Sequence, residues 1–370
     1  MKLKIGFSPC PNDTFMFDAM VHHKIDTEGL EFDYILADIE ELNNRAFKAV
    51  TDVSKVSSHA FAYLADNYRI LDSGSALGFG NGPLLIARDH LKLDEIDDLL
   101  IAIPGRFTTA NLLLSIARPG AVNRKEYLFS DIAEALLRKE ADAGVIIHES
   151  RFTYQKSGLV KIADLGEYWE NLTGLPIPLG NIVINRRINI KQALTVNRVI
   201  RRSIEFALEN PSSSHDFVSE NAKEMDGDVV RNHIKLYVNE YSVYLGQTGR
   251  RALTELYRIA ADKGLVREMP ADLFLEVHGV EPVPLILQLL FLYPEFLELL
   301  LQIHDALCGL FTHRLERDTL GLLDGPDQLL LFHGTDTGYS PHGQGHFPQF
   351  LYRLFFQGFL LFHFPVPFRE

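Results

Sequence analysis

The fold is decided first at residues 3–23, which read LKIGFSPCPNDTFMFDAMVHH. Leu3–Ser8 is a short apolar run that predicts a strand, and Asp13–His23 carries a helical pattern. A loop with Pro9 and Pro11 separates the two. A strand followed by a loop and a helix begins a β-α-β unit, which predicts an α/β fold with a parallel sheet.

The same alternation of apolar runs and helical patterns continues to about residue 187. The further predicted strands are Glu31–Leu36, Val53–Ser57, Arg69–Leu71, Leu84–Arg88, Leu99–Pro104, Arg124–Phe129, Ala143–His148 and Leu159–Asp164. The further predicted helices are Ile39–Ala49, Ala60–Asn67, Thr108–Arg118, Asp131–Ala141 and Glu167–Thr173. From Ile190 onward the pattern turns helical, at Lys191–Glu209, Ser214–Lys223, Gly227–Glu240 and Thr248–Lys263.

Two bridging segments divide this pattern. Arg88–Asp98 is a charged stretch after one set of strands, and Gly174–Gly180 is a Gly/Pro-rich stretch after a second set. If both are crossovers, the chain is a two-lobed α/β protein with a ligand cleft between the lobes. We then expect a first lobe of residues 1–90 plus 181–277 and a second lobe of residues 91–180. The alternative is one larger doubly wound domain.

Charge and cysteine content limit the partners of the chain. Its 370 residues suggest two to three domains, and 36 Lys and Arg against 49 Asp and Glu give a net charge of −13. This balance argues against nucleic acid or anionic lipid as a partner, whereas a small-molecule carboxylate can still bind in a local basic pocket. Cys10 and Cys308 are too few for a disulfide scaffold or a four-thiolate zinc site, and they indicate a reducing compartment.

Two apolar stretches resemble export or membrane signals only superficially. Near the N terminus, Ser8, Pro9 and Pro11 interrupt the apolar run before a signal-peptide core can form. Val283–Tyr293 is the most apolar segment, but it has about half of the roughly 20 residues that a spanning helix needs. We therefore predict a cytoplasmic protein without a membrane span.

The tail, residues 278–370, differs in composition from the rest of the chain. No lysine follows Lys263, and Leu, Phe, His, Gly and Pro dominate. The sequence of the tail is not typical of a folded domain, because residues 321–370 show neither helical nor strand alternation. It could be an oligomerisation element of a homo-oligomer, a fused or otherwise non-native fragment, or a translated displaced reading frame, and the sequence leaves these alternatives open. Only His342 and His346 share a close spacing, with no acidic partner nearby, so no metal site is expected.

The first candidate site segment is SPCPNDT at residues 8–14, between the first strand and the first helix. Such a junction presents backbone N–H groups and short polar side chains at the carboxyl edge of the sheet. Asn12, Asp13 and Thr14 are therefore candidate lining residues of the cleft. The alternative is that Asn12 or Asp13 only caps the helix.

The second segment, VSKVSSH at residues 53–59, places Lys55 in the middle of a strand that ends in hydroxyl groups. On a half-exposed strand Lys55 would simply be solvated. In a fully covered strand it must pair with an anion, and a substrate carboxylate would serve.

The third segment, PGRFTTAN at residues 104–111, again joins a strand to a helix. Gly105 permits a tight turn, and Thr108 and Thr109 lie where the positive end of the helix dipole points outward. A carboxylate could bind there without a metal. The alternative is that Thr108 only caps the helix.

The fourth segment, AGVIIHESR at residues 143–151, is an apolar strand that ends in His148. Imidazoles titrate near neutral pH, and the carboxyl edge of the strand is where the other three loops converge, so His148 is a candidate general base. Arg151 is a candidate lining residue. The alternative is a structural histidine. Cys10 lies beside the start of a helix and is the only candidate for a thiol nucleophile.

Together, four segments resemble the 1,4-dihydroxy-6-naphthoate synthases of the futalosine route to menaquinone. They are SPCPNDTF at 8–15, SKVS at 54–57, PGRFTTA at 104–110 and IIHESRFTY at 146–154. The resemblance covers about residues 3–277. It implies a two-lobed fold like type II periplasmic binding proteins and an enzyme that needs no metal or organic cofactor. It also implies conversion of cyclic dehypoxanthinylfutalosine to 1,4-dihydroxy-6-naphthoate with release of dihydroxyacetone.

The resemblance also implies residue roles. The proton acceptor of the family is the histidine of its IIHES motif, which falls on His148. Its substrate-binding segments fall on Lys55, Val56, Ser57, Thr109 and Ala110. Two other functions stay open: chorismate dehydratase, a sister enzyme of the pathway with a carboxylate substrate, and a non-enzymatic solute-binding protein, a class that is normally exported.

Overall fold

The structure is a computed structural model that describes residues 1–148, 150–222 and 226–276. Within these residues the chain forms two β-sheets with helices around them. The strands are β1 (Lys2–Phe7), β2 (Glu31–Leu36), β3 (Val53–Ser57), β4 (Tyr68–Ile70), β5 (Ala76–Gly78), β6 (Leu84–Ala87), β7 (Ile101–Ile103), β8 (Arg124–Glu126), β9 (Ala143–Ile146), β10 (Val160–Asp164) and β11 (Ile177–Asn185).

The helices are interspersed among the strands up to β11, except between β4 and β7, and after β11 they follow one another. They are α1 (Pro11–Val21), α2 (Ile39–Phe47), α3 (Ser58–Phe61), α4 (Thr109–Ala117), α5 (Ile132–Leu137), α6 (Ser150–Thr153), α7 (Leu165–Thr173), α8 (Ile190–Glu209), α9 (His215–Asn221), α10 (Gly227–Tyr237), α11 (Glu240–Val243) and α12 (Gly246–Asp262). The α/β class predicted from the sequence is confirmed.

The first sheet has the strand order β2-β1-β3-β11-β4, with β5 also paired to β11. Strand β1 is parallel to β2 and β3, whereas β11 is antiparallel to β3, β4 and β5. The second sheet has the order β10-β6-β9-β7-β8. In that sheet β7 is parallel to β8 and β9, and β6 is antiparallel to β9 and β10.

Helix α1 is buried at every position, although it begins with polar residues. It packs against β2 and against α8, α9 and α10, so no side of it faces solvent. Phe15, Met16, Phe17 and Met20 belong to the apolar cluster formed there. This packing fixes the first turn of α1 at the end of β1.

The prediction of a parallel sheet is correct only in part, because both sheets are mixed. Strands β1 and β7 run parallel to their neighbours, whereas β11 and β6 run antiparallel to theirs. Gly174–Gly180 is also more than a bridge. Gly174 ends α7 with a φ of 66°, and β11 begins at Ile177, with Pro178 paired to Leu77. Local apolar patterns locate a strand, but its direction depends on the route that the chain takes between sheets.

The chain passes from the first sheet to the second between Gly78 and Leu84, and it returns between α7 and Ile177. These positions are near the predicted lobe limits at 90 and 180, and the lobes with their boundaries stay a prediction. The tail, with His342 and His346, lies outside the described residues. None of the described helices combines the length and the apolar character that crossing a membrane requires.

Candidate active site

The four segments that the sequence singles out meet at one pocket. Its lining includes the predicted site residues Asn12, Asp13, Lys55, Ser57, Thr109, Ala110 and His148. The first sheet contributes the β1–α1 junction and β3, and the second contributes the start of α4 and the residues after β9. Predicted site residues that are up to 136 positions apart, from Asn12 to His148, therefore share one surface.

Asp13 and Lys55 form a buried ion pair in this lining, with 3.0 Å between Nζ and Oδ1. The Asp13 carboxylate also accepts hydrogen bonds from Ser8 N (3.1 Å), Ser8 Oγ (2.7 Å) and Asn12 Nδ2 (2.9 Å). All of β3 is buried, so Lys55 has to meet an anion, as the covered-strand reading predicts. The anion that the structure provides is a carboxylate of the protein itself.

The capping alternative for the first segment is wrong. The residue before α1 is Cys10, so Asn12 and Asp13 lie inside the first turn. Asp13 uses its carboxylate for Ser8 and Lys55, and Asn12 uses its amide for Asp13 and for His233. These side chains therefore organise the pocket rather than the helix end.

Ser57 ends β3 and is held by Asn43 of α2. The Ser57 N–H donates to Asn43 Oδ1 (2.9 Å), and Asn43 Nδ2 donates to Ser57 Oγ (3.2 Å). A hydroxyl that accepts one hydrogen bond can still donate its own proton. Ser57 is thus a fixed donor at the pocket.

Helix α4 begins at the pocket through a capped turn. Gly105 has a φ of 141°, a conformation that favours glycine, and a Cβ there would lie 2.6 Å from Glu40 Oε2. Thr108 Oγ1 accepts a hydrogen bond from Asn111 N (3.3 Å). Thr108 therefore caps the helix as the alternative for the third segment predicts, and it also lines the pocket.

The hydroxyl of Thr109 is engaged by the protein. It donates to the Leu179 carbonyl (2.6 Å) of β11 and accepts from His59 N (3.3 Å). The N–H groups of Thr109 and Ala110 belong to the first turn of α4, where N–H groups have no acceptor within the helix. Any ligand held by this segment would therefore use the backbone and the helix dipole rather than the Thr109 hydroxyl.

His148 follows β9 after one intervening residue, and its backbone has a φ of 57°. Left-handed backbone is uncommon outside glycine and is enriched at functional sites. The ring of His148 is half-buried between two other rings: its centroid is 4.9 Å from that of Phe129 and 5.9 Å from that of His233, the latter nearly parallel at 19°. The structure thus holds this imidazole in a defined place beside the pocket.

His233, on α10, is a residue that sequence reasoning missed. Its Nε2 lies 2.9 Å from Asn12 Oδ1, and because Asn12 Nδ2 already donates to Asp13, we assign Nε2 as the donor. Burial, followed by the neighbouring His148, lowers the pKa of His233 well below its usual value. A neutral ring next to His148 adds no positive charge to oppose proton uptake by His148.

Three predicted site residues lie outside the pocket lining, and two of them, Thr14 and Val56, are buried. Thr14 is fully buried in α1, where its hydroxyl donates to the Cys10 carbonyl (3.1 Å). The Val56 side chain is fully buried in the apolar core. Any contact of Val56 with a ligand would have to come from its backbone.

Arg151 also lies outside the lining. It forms an ion pair with Asp164 (2.9 Å) and donates to the carbonyls of Gly80 (2.8 Å) and Gly82. Its guanidinium therefore supports the segment between β5 and β6. In the described part of the chain, no group of three or more His, Cys, Asp or Glu side chains could hold a metal ion.

Sequence reasoning also missed Asn81 and Tyr237, which line the pocket. Asn81 stands between Gly80 and Gly82, a turn-forming context that could have drawn attention to it. Tyr237 and His233 are four residues apart on α10, a spacing typical of any helix face, so their sequence carries no specific signal.

Two sheets with a pocket lined from both of them define an α/β protein with the fold of periplasmic solute-binding proteins. The chain is similar to the alkanesulfonate-binding protein of Xanthomonas axonopodis pv. citri, with a TM-score of 0.56 and 12% identity, over 72% of this chain and 94% of that one. At this identity the likeness concerns the fold alone. The predicted α/β fold like that of periplasmic binding proteins is confirmed, and the cleft between two lobes stays a prediction.

The chain belongs to the menaquinone biosynthesis family, whose model matches residues 3–262. It is 40% identical to a 1,4-dihydroxy-6-naphtoate synthase of Thermus thermophilus, over 74% of this chain and 98% of the relative. It is also 40% identical to the synthase of the same name from Streptomyces coelicolor, over 73% and 96%. A crystal structure of an Archaeoglobus fulgidus protein matches with a TM-score of 0.68 and 38% identity, over 72% and 98%. The predicted family is confirmed.

Proposed function

We propose that the pocket is the active site at which this protein works as a 1,4-dihydroxy-6-naphthoate synthase of menaquinone biosynthesis, with His148 as the general base. One observation carries the assignment: the four segments that resemble the family's motifs line one pocket, and His148 is among them. The identity of 40% to two synthases supports the activity.

The substrate that the resemblance implies, cyclic dehypoxanthinylfutalosine, carries a carboxylate and an oxygen-rich ring. Loss of dihydroxyacetone from it needs removal of a proton, cleavage of a carbon–carbon bond and stabilisation of the negative charge that develops on oxygen. His148 takes the proton in this scheme. The two products together contain all the atoms of the substrate, so the step consumes no oxidant or reductant, and aromatisation drives it.

The charged and polar groups around His148 have separable roles in this proposal. The Lys55 charge is already compensated by Asp13, so the first turn of α4, at Thr109 and Ala110, is the better site for the substrate carboxylate. Ser57 is placed to donate to an oxygen that gains charge. Donors fixed in advance in this way stabilise charge without reorganising during the reaction.

The other two functions have less support. Chorismate dehydratase would fit a carboxylate substrate, but the two curated relatives at 40% identity are both naphthoate synthases. A role as a solute-binding protein rests on structures with 12% to 14% identity, which concern the fold alone.

We also propose that the enzyme acts in the cytoplasm, where a biosynthetic intermediate would be made and used.

A direct experiment is to incubate the purified protein with cyclic dehypoxanthinylfutalosine and, separately, with chorismate, and to follow products by mass spectrometry. We expect 1,4-dihydroxy-6-naphthoate and dihydroxyacetone from the first compound and no dehydration of the second.

His148→Asn should lower kcat by about 10²–10⁴ because the amide cannot take up the proton. His90→Asn, at an exposed position outside the pocket, is the matched control and should keep full activity. More than half of the wild-type activity in His148→Asn would disprove the general-base role.

A further inference from the structure

Asn81 lies in the segment that links the two sheets, between β5 and β6. The residue lines the pocket and is only 1% exposed. Neither Nδ2 nor Oδ1 has a hydrogen-bond partner among the described residues. Thr51, Ser213 and His233 also carry a buried atom without such a partner in that part of the chain, but of the four residues only Asn81 lines the pocket.

A buried amide with neither of its polar atoms paired destabilises a folded protein. Buried polar groups in folded proteins are nearly always hydrogen-bonded, so an unpaired one is better explained by function than by stability. Here both unpaired atoms belong to a residue of the pocket lining. A ligand in the pocket can supply the missing partners.

The segment around Asn81 is fixed, so the side chain cannot escape by moving its backbone. Arg151 donates to the carbonyls of Gly80 and Gly82, and Gly80 N donates to Glu170 Oε1 (2.6 Å). Gly82 packs so closely on Gly166 that a Cβ at position 82 would lie 2.3 Å from the Gly166 Cα. Arg151 thus acts behind the pocket, where it holds Asn81 in place.

We propose that Asn81 is a substrate-binding residue whose amide pairs with a hydroxyl, or with adjacent hydroxyl and carbonyl groups, of the oxygen-rich ring of the substrate. A hydroxyl both donates and accepts, so it can satisfy Oδ1 and Nδ2 together. A carboxylate would satisfy Nδ2 but would face Oδ1 with a second acceptor. This inference rests on the proposed function for the identity of the substrate.

The test compares Asn81→Leu with Asn197→Leu. Asn197 is also a buried asparagine, but its Oδ1 accepts from Asp72 N (2.9 Å) and Ser73 N (3.1 Å), and it lies outside the pocket lining. For Asn81→Leu we expect kcat/KM to fall roughly 10- to 100-fold, because substrate groups lose their partners, with a melting temperature equal to or above that of the wild type. For Asn197→Leu we expect a lower melting temperature and an unchanged kcat/KM per folded molecule.

Asn81→Ala removes the same two atoms without filling the pocket, and it should show the same loss if Leu prevents folding or blocks the site. A kcat/KM within twofold of the wild type in either folded variant would overturn the inference. A wild-type protein that makes no 1,4-dihydroxy-6-naphthoate would instead contradict the proposed function. In that case, equal affinity of wild type and Asn81→Ala for cyclic dehypoxanthinylfutalosine by calorimetry would still overturn the role of Asn81.

Discussion

Lys55 shows how one residue can be both structural and part of a binding surface. It stands in a strand that is buried at all five positions, and its ammonium group is paired with Asp13. Gly180 makes room for it, since a Cβ at that position would lie 3.3 Å from Lys55 Cε. Both partners also line the pocket, where their opposite charges offset each other.

This arrangement predicts that Lys55→Met destabilises the protein, because the Asp13 carboxylate is left buried without its counter-charge. Breaking a buried pair in this way costs about 3–5 kcal/mol. Combining Lys55→Met with Asp13→Asn should recover part of the loss, and the free energy of unfolding in urea measures both effects. If Lys55→Met unfolds like the wild type and only KM rises, Lys55 acts as a substrate anchor instead of a structural partner.

At the scale of elements, α3, α4 and β11 are joined next to the pocket by His59 and Thr109. His59 Nδ1 lies 3.2 Å from the Thr108 carbonyl, and its N–H donates to Thr109, which in turn donates to Leu179. Burial lowers the pKa of His59 to about 4, although the bond to Thr108 opposes this change. The start of α4 is therefore held by a histidine that the fold keeps neutral.

The buried His59 predicts acid sensitivity of the fold. Unfolding returns the histidine to an ordinary pKa near 6.5, so the unfolded state binds a proton first as the pH falls. This histidine leaves the free energy of unfolding unchanged above about pH 6.5 and lowers it progressively below that pH, until about 3 kcal/mol has been lost at about pH 4. His59→Gln should make the loss of unfolding free energy between these pH values smaller. An equal loss in both proteins would show that His59 is not its source.

At the scale of the whole molecule, the last described residues form backbone hydrogen bonds with β4, a strand of the first sheet. Ile70 N donates to the Leu273 carbonyl (2.9 Å), and Leu275 N donates to the Ile70 carbonyl (2.8 Å). Both leucines are buried. The stretch that contains Leu273 and Leu275 therefore belongs to the folded unit, just before the sequence changes composition.

A chain that ends at Val277 should accordingly melt within a few degrees of the full chain and keep its synthase activity. It should also stay in solution better, because the tail is rich in Leu and Phe. A chain that ends at Gly264 is the matched comparison: it loses the burial of Leu273 and Leu275, which stabilises the fold by about 3–6 kcal/mol. A large fall in melting temperature for the chain ending at Val277 would show that the tail is part of the fold.

Much of the fold and of the candidate site follows from local sequence. The strands Glu31–Leu36 and Val53–Ser57 are found with the predicted bounds, because a short local run of strand-favouring residues is enough to mark such an element. His148 and the start of α4 were predicted at one edge, since loops after parallel strands gather there. The sequence by itself therefore determined the class of fold, and most of the site residues that it predicts line the pocket.

Tertiary structure alone decided what depends on residues far apart in the chain. The direction of β11, the pairing of Lys55 with Asp13 and the bond between Asn12 and His233 join positions separated by 42 to 221 residues. No local pattern encodes such a partner, because spacing along the chain describes one element at a time. The same holds for the amide of Asn81: only the packed structure shows that this polar group is buried and that none of the described residues is its hydrogen-bond partner.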